Sequence, residues 1–586
     1  MIIQELCHYY DRLAENPDIK ISPPGFSREK IHAEIVLDKE GNLLQFNDLR
    51  VHKGKKLVPR DMIVPQAFKR TISPIPNFLW DNTSYVLGAD NKENPQKAAE
   101  CFNVFRQFHS EILKEVQNNE ISAMLTFLNN WNPQNFGTLS NWAELAGGNV
   151  VFRTDGDRQY LHENNILKQI WLQYKNQDAE RQNRFCLVTG RNQPIARLHP
   201  PIKGVRDAQS SGAALITFNL DSFCSYGKEQ NFNAPVGDMS AFSYATALNY
   251  LLANDCKQKI QIGDATTVFW TERESPIEGM FGMMLDPKDL DISDNAELRQ
   301  ALESIREGKP IAGIDQEIRF FILGLSPNAA RIAVRFWYVC TVGQLEDKIG
   351  QHFRDLNLRQ SFDSDPEYPG IWRLLRETVN QKASDKSPQP LLAGAVLRSI
   401  LEGTAYPQAL QNAVINRIRA ESALKDKNGK PINNVNYVRA AILKAILVRK
   451  HRLYKQGMEV SMALDTENKN PAYLLGRLFA VLEKAQQEAS PGLNATIKDR
   501  FWGAASATPK VVFPQLLNLK NHHISKIDNQ GKAVFFEKLV GSIMDQIEST
   551  GFKAHLTLDE QGLFAIGYYH QRQDFFKGKE SRKDNQ

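Results

Sequence analysis

Apolar and polar positions alternate with two periods along the first half of the chain. Ile2, Ile3, Leu6, Tyr9, Tyr10 and Leu13 fall on one stripe of a helix over 2–14. IHAEIVL (31–37) alternates as a strand does and ends at the turn Glu40-Gly41-Asn42. Pro59, Pro65, Pro74 and Pro76 then interrupt regular structure through a basic stretch that reads as a loop. Helical spacing returns over 97–130 and 158–176, strands over 184–189 and 213–219, a helix over 239–254, and a strand at TTVFW (266–270). FFILGL (320–325) and RIAVRFWYV (331–339), joined through Ser326-Pro327-Asn328, read as a hairpin.

Past residue 345 the pattern changes. A polar, proline-containing segment, QKASDKSPQP (381–390), precedes a remainder with helical spacing over 391–401, 407–423, 434–456, 471–489, 493–504, 510–519 and 532–549. The fold class this predicts is α+β: a mixed α/β N-terminal body over 1–345, a linker region over 346–390, and an all-α C-terminal bundle over 391–586. The last ten residues, with Lys577, Lys579, Arg582 and Lys583, are expected to fray.

Composition narrows the class without choosing a function. A chain of 586 residues is too long for one core and should hold roughly two to four domains. Its 42% hydrophobic and 9% aromatic content supports ordinary globular cores. The net charge of +5 excludes a charged tail-like protein, so any polyanion site must come from clustering. Six cysteines lie tens of residues apart with no CxxC or Cys/His pairing, which argues against zinc or a disulfide scaffold. Glu5 and Asp11 interrupt the N-terminus and no apolar run reaches the roughly 20 residues of a membrane span, so a cytoplasmic location is expected.

The densest candidate chemistry lies in 186–237. Lys203, Arg206 and Lys228 bring positive charge, while Gln209, Ser210, Ser211, Asn219, Gln230, Asn231 and Asn233 bring neutral donors and acceptors. Gly204, Gly212 and Gly227 allow close backbone approach. Such a mixture suits phosphate positioning combined with base-edge contacts, or else a polar surface loop. Upstream, Lys53, Lys55, Lys56, Arg60, Lys69 and Arg70 face one acid, Asp61, in a segment that either straddles a phosphate backbone or is simply solvated. Asn77, Trp80, Asn82 and Tyr85 pair amides with aromatics, as base contacts or as a core-docked loop. NYVRAAILKAILVRKHRLYKQG (436–457) carries Arg439, Lys444, Arg449, Lys450, Arg452 and Lys455 with no acid. With Ala441, Ile442, Ala445, Ile446 and Leu453 as its buried stripe, the charges are expected on the other faces, toward a polyanion, an acidic protein face or solvent.

Several motifs stay ambiguous or fall short. Arg331 and Arg335 are expected on one strand face, opposite core-facing Ile332, Val334 and Phe336, to meet phosphates or carboxylates. GYYHQRQDFF (567–576) suits nucleic-acid stacking or an aromatic anchor for a terminal helix. Adjacent histidines in HHISK (522–526) point apart and lack completing ligands, so no metal site is expected. No GxxxxGK[ST], HExxH or GxSxG occurs. Neither a catalytic centre nor a cofactor is expected, which leaves a metal-dependent nuclease as a weak rival.

The runs CLVTG, HPPIKGV, SSGA and SYGKEQ–NAPV, followed by LGLSPNAARIAVRFW (323–337), YLLGRLFAVLE (473–483), LNATIKDRFWGAASATP (493–509) and GYYHQRQDFF, together resemble the large subunit of the type I-C CRISPR Cascade surveillance complex. The resemblance runs from MIIQELCHYYDRL to the last twenty residues. It implies a non-enzymatic protein that recognises a protospacer-adjacent motif in duplex DNA, starts strand separation, helps hold the displaced strand and recruits a helicase-nuclease. By analogy with another guided effector, guide-RNA pairing would read the target sequence. Its implied partners are crRNA, target DNA and the backbone, crRNA-end-capping and small subunits, with no membrane. On this reading Asn77, Lys203, Arg206, Gln209, Ser211, Lys228 and Asn231 serve the motif and duplex, and Lys53, Lys55, Lys56, Lys69 and Arg70 contact phosphates. Arg439, Lys444, Arg449, Lys450, Arg452 and Lys455 face the displaced strand or a partner. The resemblance further implies that an internal start, at Met458 or Met462, yields a separate small subunit of about 125 residues from the C-terminal part. An RNA-binding scaffold without motif recognition remains the alternative.

Overall fold

The computed structural model describes all residues except 55, 69, 71–72, 92–93, 117, 177–182, 289–294, 381–382, 384–386, 426–428, 430–431, 457–458, 548–550 and 581–586. The chain forms two compact units, Met1–Ile202 with Ser211–Tyr250, and Lys203–Ser210 with Leu251–Gln586. Strands and helices mix before residue 345 and the described regular structure after 390 is helical, so the α+β class holds.

The first unit is built on a four-stranded sheet ordered Leu43–Asp48, Ala33–Leu37, Asn149–Thr154, Trp80–Asn82. Ala33–Leu37 and Asn149–Thr154 run parallel, and the outer pairings are antiparallel. All five residues of Ala33–Leu37 are buried, as expected of a central strand covered on both faces. Glu34 is tolerated there because Arg153 and Asn47 each donate to it at 2.9 Å. Helices Pro95–Ile112, Asn119–Asn130 and Asn165–Asn176 cover this sheet, with Phe105, Phe127 and Trp171 in the core. A second strand pair, Phe26–Ile31 with Arg60–Pro65, leads out of a short ribbon, Val51–Lys53 with Lys56–Val58.

The second unit carries a four-stranded antiparallel meander: Lys259–Ile262, Ala265–Thr271, Arg319–Asn328, Arg331–Thr341. The expected hairpin is present, closed by Ala329-Ala330 with Ala329 at φ 52°. A bulge next to Gly324/Leu325 leaves Arg335 without a cross-strand partner, and Val334 is 43% exposed rather than core-facing. Arg335 lies 2.7 Å from Asp264, a carboxylate pairing. Residues 346–390, expected as a linker, contribute most of the helix Val342–Leu356 and all of Ile371–Arg376 to a core that continues into the later helices.

That helical region is organised around Pro471–Ala489 and Leu558–Glu580. Two glycines let these helices touch backbone to backbone. A Cβ at Gly476 would meet the Phe564 carbonyl at 2.0 Å, and one at Gly567 the Tyr473 carbonyl at 2.2 Å. Tyr568 donates to Glu483 at 2.5 Å, Arg572 to the Tyr568 oxygen at 2.8 Å, and Tyr473 lies 2.9 Å from His570 Nδ1. Tyr568, Tyr569, His570 and Gln571 are all buried, so GYYHQRQDFF anchors the terminal helix. The HHISK histidines sit at the end of Pro509–Ile524, and no His/Cys/Asp/Glu cluster suited to a metal occurs among the described residues. No described helix is long and apolar enough to cross a membrane.

Candidate nucleic-acid interface

The two basic clusters seen in the sequence fold in opposite ways. Tyr437–Tyr454 is buried nearly all round from Tyr437 to Leu447. Arg439 is enclosed and pairs with Glu421 at 2.6 Å and Glu377 at 2.7 Å, while its Nη1 donates to the Asn434 carbonyl. Arg449 is fully buried. Its Nε donates to Asp355 at 2.8 Å and its Nη1 to the Ser399 carbonyl at 2.9 Å, with its guanidinium 4.2 Å from the Tyr406 ring centre. Arg452 adds a two-pronged contact to the same carboxylate at 2.7 and 2.9 Å, and Lys444 donates to the Asp355 carbonyl at 3.1 Å. Burial opposes the Asp355 charge, but Arg452 and Arg449 outweigh it and hold the carboxyl below its ordinary pKa. Burial pushes Lys444 down to about 8.

These contacts correct the expectation that the helix presents its charges to a displaced strand or a partner. Arg439, Lys444 and Arg449 are interior groups spent on carboxylates and carbonyls, because an unpaired charge there would cost several kcal/mol. Lys450 sits at the margin, 2.8 Å from both oxygens of Asp559, and Arg452 is committed to Asp355. Lys455 is exposed at the helix C-cap with φ 56°. A sequence signal for burial was present: Val438, Ala440, Leu443 and Leu447 extend the apolar surface around the whole helix.

The first basic cluster folds into the exposed 51–58 ribbon rather than a loop, with Lys53 and Lys56 paired across it and Val51 and Leu57 also outward. Lys55 and Lys69 lie outside the described residues. Arg70 departs from the phosphate expectation. It ion-pairs with buried Asp81, donates to the Ile75 carbonyl at 2.8 Å, and stacks 4.0 Å from the Tyr85 ring centre. Asn77 is likewise a bracket and not a base reader: buried, its Oδ1 accepts from the Phe68 N–H at 3.1 Å. Trp80 is core-docked and donates to the Pro65 carbonyl at 2.8 Å.

Residues 186–237 divide between the units. Lys203, Arg206 and Gln209 lie in the short segment that belongs to the second unit. There the Arg206 N–H donates to Thr266 Oγ1 at 3.1 Å, leaving the guanidinium exposed and 3.6 Å from Asp207. Gly204, at φ 91°, approaches protein backbone: a Cβ would meet the Leu252 carbonyl at 2.7 Å. Lys203 is half-buried and Gln209 exposed. Ser211 and Lys228 are exposed in the first unit, whereas Asn231 is buried and withdrawn from any ligand.

Within the first unit the loop is strongly braced. Cys186 Sγ accepts N–H groups from Gly237 at 3.2 Å and Val188 at 3.4 Å. Burial resists ionisation of this thiol, yet those donors leave its pKa below the ordinary value. Asn233 ties a second turn, accepting from the Ser225 N–H and donating to the Lys228 and Gln230 carbonyls, all at 2.9 Å. That turn presents Tyr226, 96% exposed, which residue-type reasoning passed over. An aromatic beside Gly-Lys in a turn-forming run was the available signal.

A protein-family model described as CRISPR-associated protein (Cas_Csd1) matches residues 6–576. No curated protein matches the chain.

Proposed function

The chain belongs to this CRISPR-associated family, the large subunits of type I-C Cascade, and on that premise we propose that it reads a protospacer-adjacent motif in duplex DNA and starts strand separation beside it. It then helps hold the displaced strand and offers a docking face to the helicase-nuclease, while crRNA pairing reads the target. Its further partners in this reading are the backbone, crRNA-end-capping and small subunits, and its place is the cytoplasm. The observation that carries it is the family match over nearly the whole chain. Exposed cationic and amide side chains on a braced scaffold support it physically.

The roles fall on exposed or half-exposed groups. Gln209 and Ser211 supply discrimination, Lys203, Arg206 and Lys228 bind the duplex, and Lys53 and Lys56 contact phosphates. Their functional grouping follows a mixed body over 1–345 and a helical part beyond. A two-stranded ribbon fits a DNA groove, which favours the 51–58 ribbon as the duplex-facing element.

The test is binding of the reconstituted crRNA complex, with and without this chain, to duplex targets that share a guide match and differ in the three flanking bases. A strong flank preference that depends on the chain is expected, and Gln209→Ala should relax it. Equal binding to all flanks would leave an RNA-binding scaffold. Among the described residues five helices follow Met462, so a separate C-terminal product is part of the proposal. Mass spectrometry of purified complexes should find a fragment beginning at Met458 or Met462, and full-length chain alone would exclude it.

A further inference from the structure

We infer that Phe185 and Tyr226 are stacking contacts for unpaired nucleobases, so that this face of the first unit binds single-stranded nucleic acid. The inference rests on the nucleic-acid reading above and adds to it the mode of contact and the residues.

Tyr226 is not a side chain on a slack loop. Its backbone has φ 54° and that of Gly227 φ 64°, while the Lys228 N–H closes the turn on the Ser225 carbonyl at 3.0 Å. Positive φ at a non-glycine residue is uncommon and is held here by the Asn233 bonds around it. The result is a phenol ring projected almost wholly into water by a fixed turn. Phe185 is 58% exposed at the end of Asn183–Phe185, which pairs with Asn192–Pro194.

The two aromatic-bearing segments are bonded to each other through neighbouring residues. The Arg184 guanidinium lies 4.8 Å from the Phe232 ring centre, and Arg197 Nε donates to Gln230 at 2.7 Å. The Leu187 N–H donates to the Pro235 carbonyl at 2.9 Å, and the Gly237 N–H to Cys186. Around Phe185 the charge has one sign: residues 183–197 hold Arg184, Arg191 and Arg197 and no carboxylate. Lys228 stands two residues after Tyr226, with Glu229 next to it.

Exposed rings beside cations are what a single strand requires. Its backbone needs positive charge and its bases need π-faces, whereas the faces of paired bases are already covered by the stack. An acidic protein partner would match the arginines, but its carboxylates do not call for two exposed rings beside them.

The experiment places 2-aminopurine, whose fluorescence falls on stacking, in a single-stranded DNA and in the same sequence as RNA, bound to full-length chain. In the reconstituted complex the probe sits either in the unpaired displaced strand of a bubble target or in the crRNA. The expected result is quenching of the DNA or RNA probe by wild type. Affinity should fall about five- to a hundredfold in Tyr226→Ala, less in Phe185→Ala, and be retained in Tyr226→Phe. The strand whose probe responds in the complex identifies the source of the bases. The side chains are exposed, and unchanged circular dichroism confirms that the variants fold. Absence of quenching by wild type, or wild-type affinity in both Tyr226→Ala and Phe185→Ala, overturns the inference. Flank preference in the duplex assay is scored separately: its survival in Tyr226→Ala with unquenched probe leaves the motif reading standing, and its absence in wild type with quenched probe leaves the stacking contact standing.

Discussion

Two basic stretches of comparable length, 51–70 and 436–457, look alike in sequence and differ in what holds their charge. In the first, Lys53 and Lys56 stand on a ribbon whose described residues from Val51 to Leu57 are exposed. In the second, Arg439 and Arg449 are enclosed by a core, and Asp355, Glu377 and Glu421 arrive from other helices and turns to neutralise them. Charge density alone therefore says little about a polyanion site. The apolar residues between the charges decide whether each cation meets water or a carboxylate.

The largest expected effect breaks the buried side of this contrast. Arg449→Met should destabilise the second unit by about 3–5 kcal/mol, since Asp355 then keeps a buried charge with only Arg452 and Gln351 against it. Urea unfolding monitored by tryptophan fluorescence checks this, and a loss under about 1 kcal/mol would mean the cluster is not structural.

A smaller effect concerns pH. The folded pKa of Asp355 lies below that of an unfolded carboxyl, so its ion pairs stabilise fully above about pH 4. That contribution is lost as pH falls through the folded value. Lys444 acts at the other end: burial lowers it to about 8, so stability gained from this site rises from about pH 8 toward the ordinary lysine range. Unfolding free energy measured across pH should show both slopes, and Asp355→Asn should remove the acidic one. The smallest effect is at the rim, where Lys450→Ala should cost under about 1 kcal/mol because the pair with Asp559 is partly solvated.

The sequence made the helices legible where apolar spacing was long and uninterrupted. Pro471–Ala489 matches its expected span, and the Arg319–Thr341 hairpin was visible from its β-branched and aromatic runs. The 51–58 ribbon was not, because an exposed two-stranded ribbon needs no apolar alternation to betray it. Val342–Leu356 was masked by Glu346, Asp347, Lys348, Arg354 and Asp355, although its capping box at Thr341 and Gln344 was in plain sight. The candidate site was legible as a region but not residue by residue. Asn77 and Asn231 have the same side chain as an exposed reader, and only packing shows that they face inward. The carboxylates that claim the arginine-rich helix lie at sequence separations from 18 to 109 residues. No local pattern reveals such pairs.

The central claim is that the charge on the 51–58 ribbon is available to phosphates and the charge on Tyr437–Tyr454 is not. Its most direct test is the salt dependence of duplex binding by the reconstituted complex carrying Lys53→Ala/Lys56→Ala or Lys450→Ala/Arg452→Ala, each verified as folded. The ribbon variant should lower the slope of log affinity against log salt by about two, and the helix variant should leave it unchanged. A lowered slope in the helix variant with an unchanged one in the ribbon variant would contradict the account.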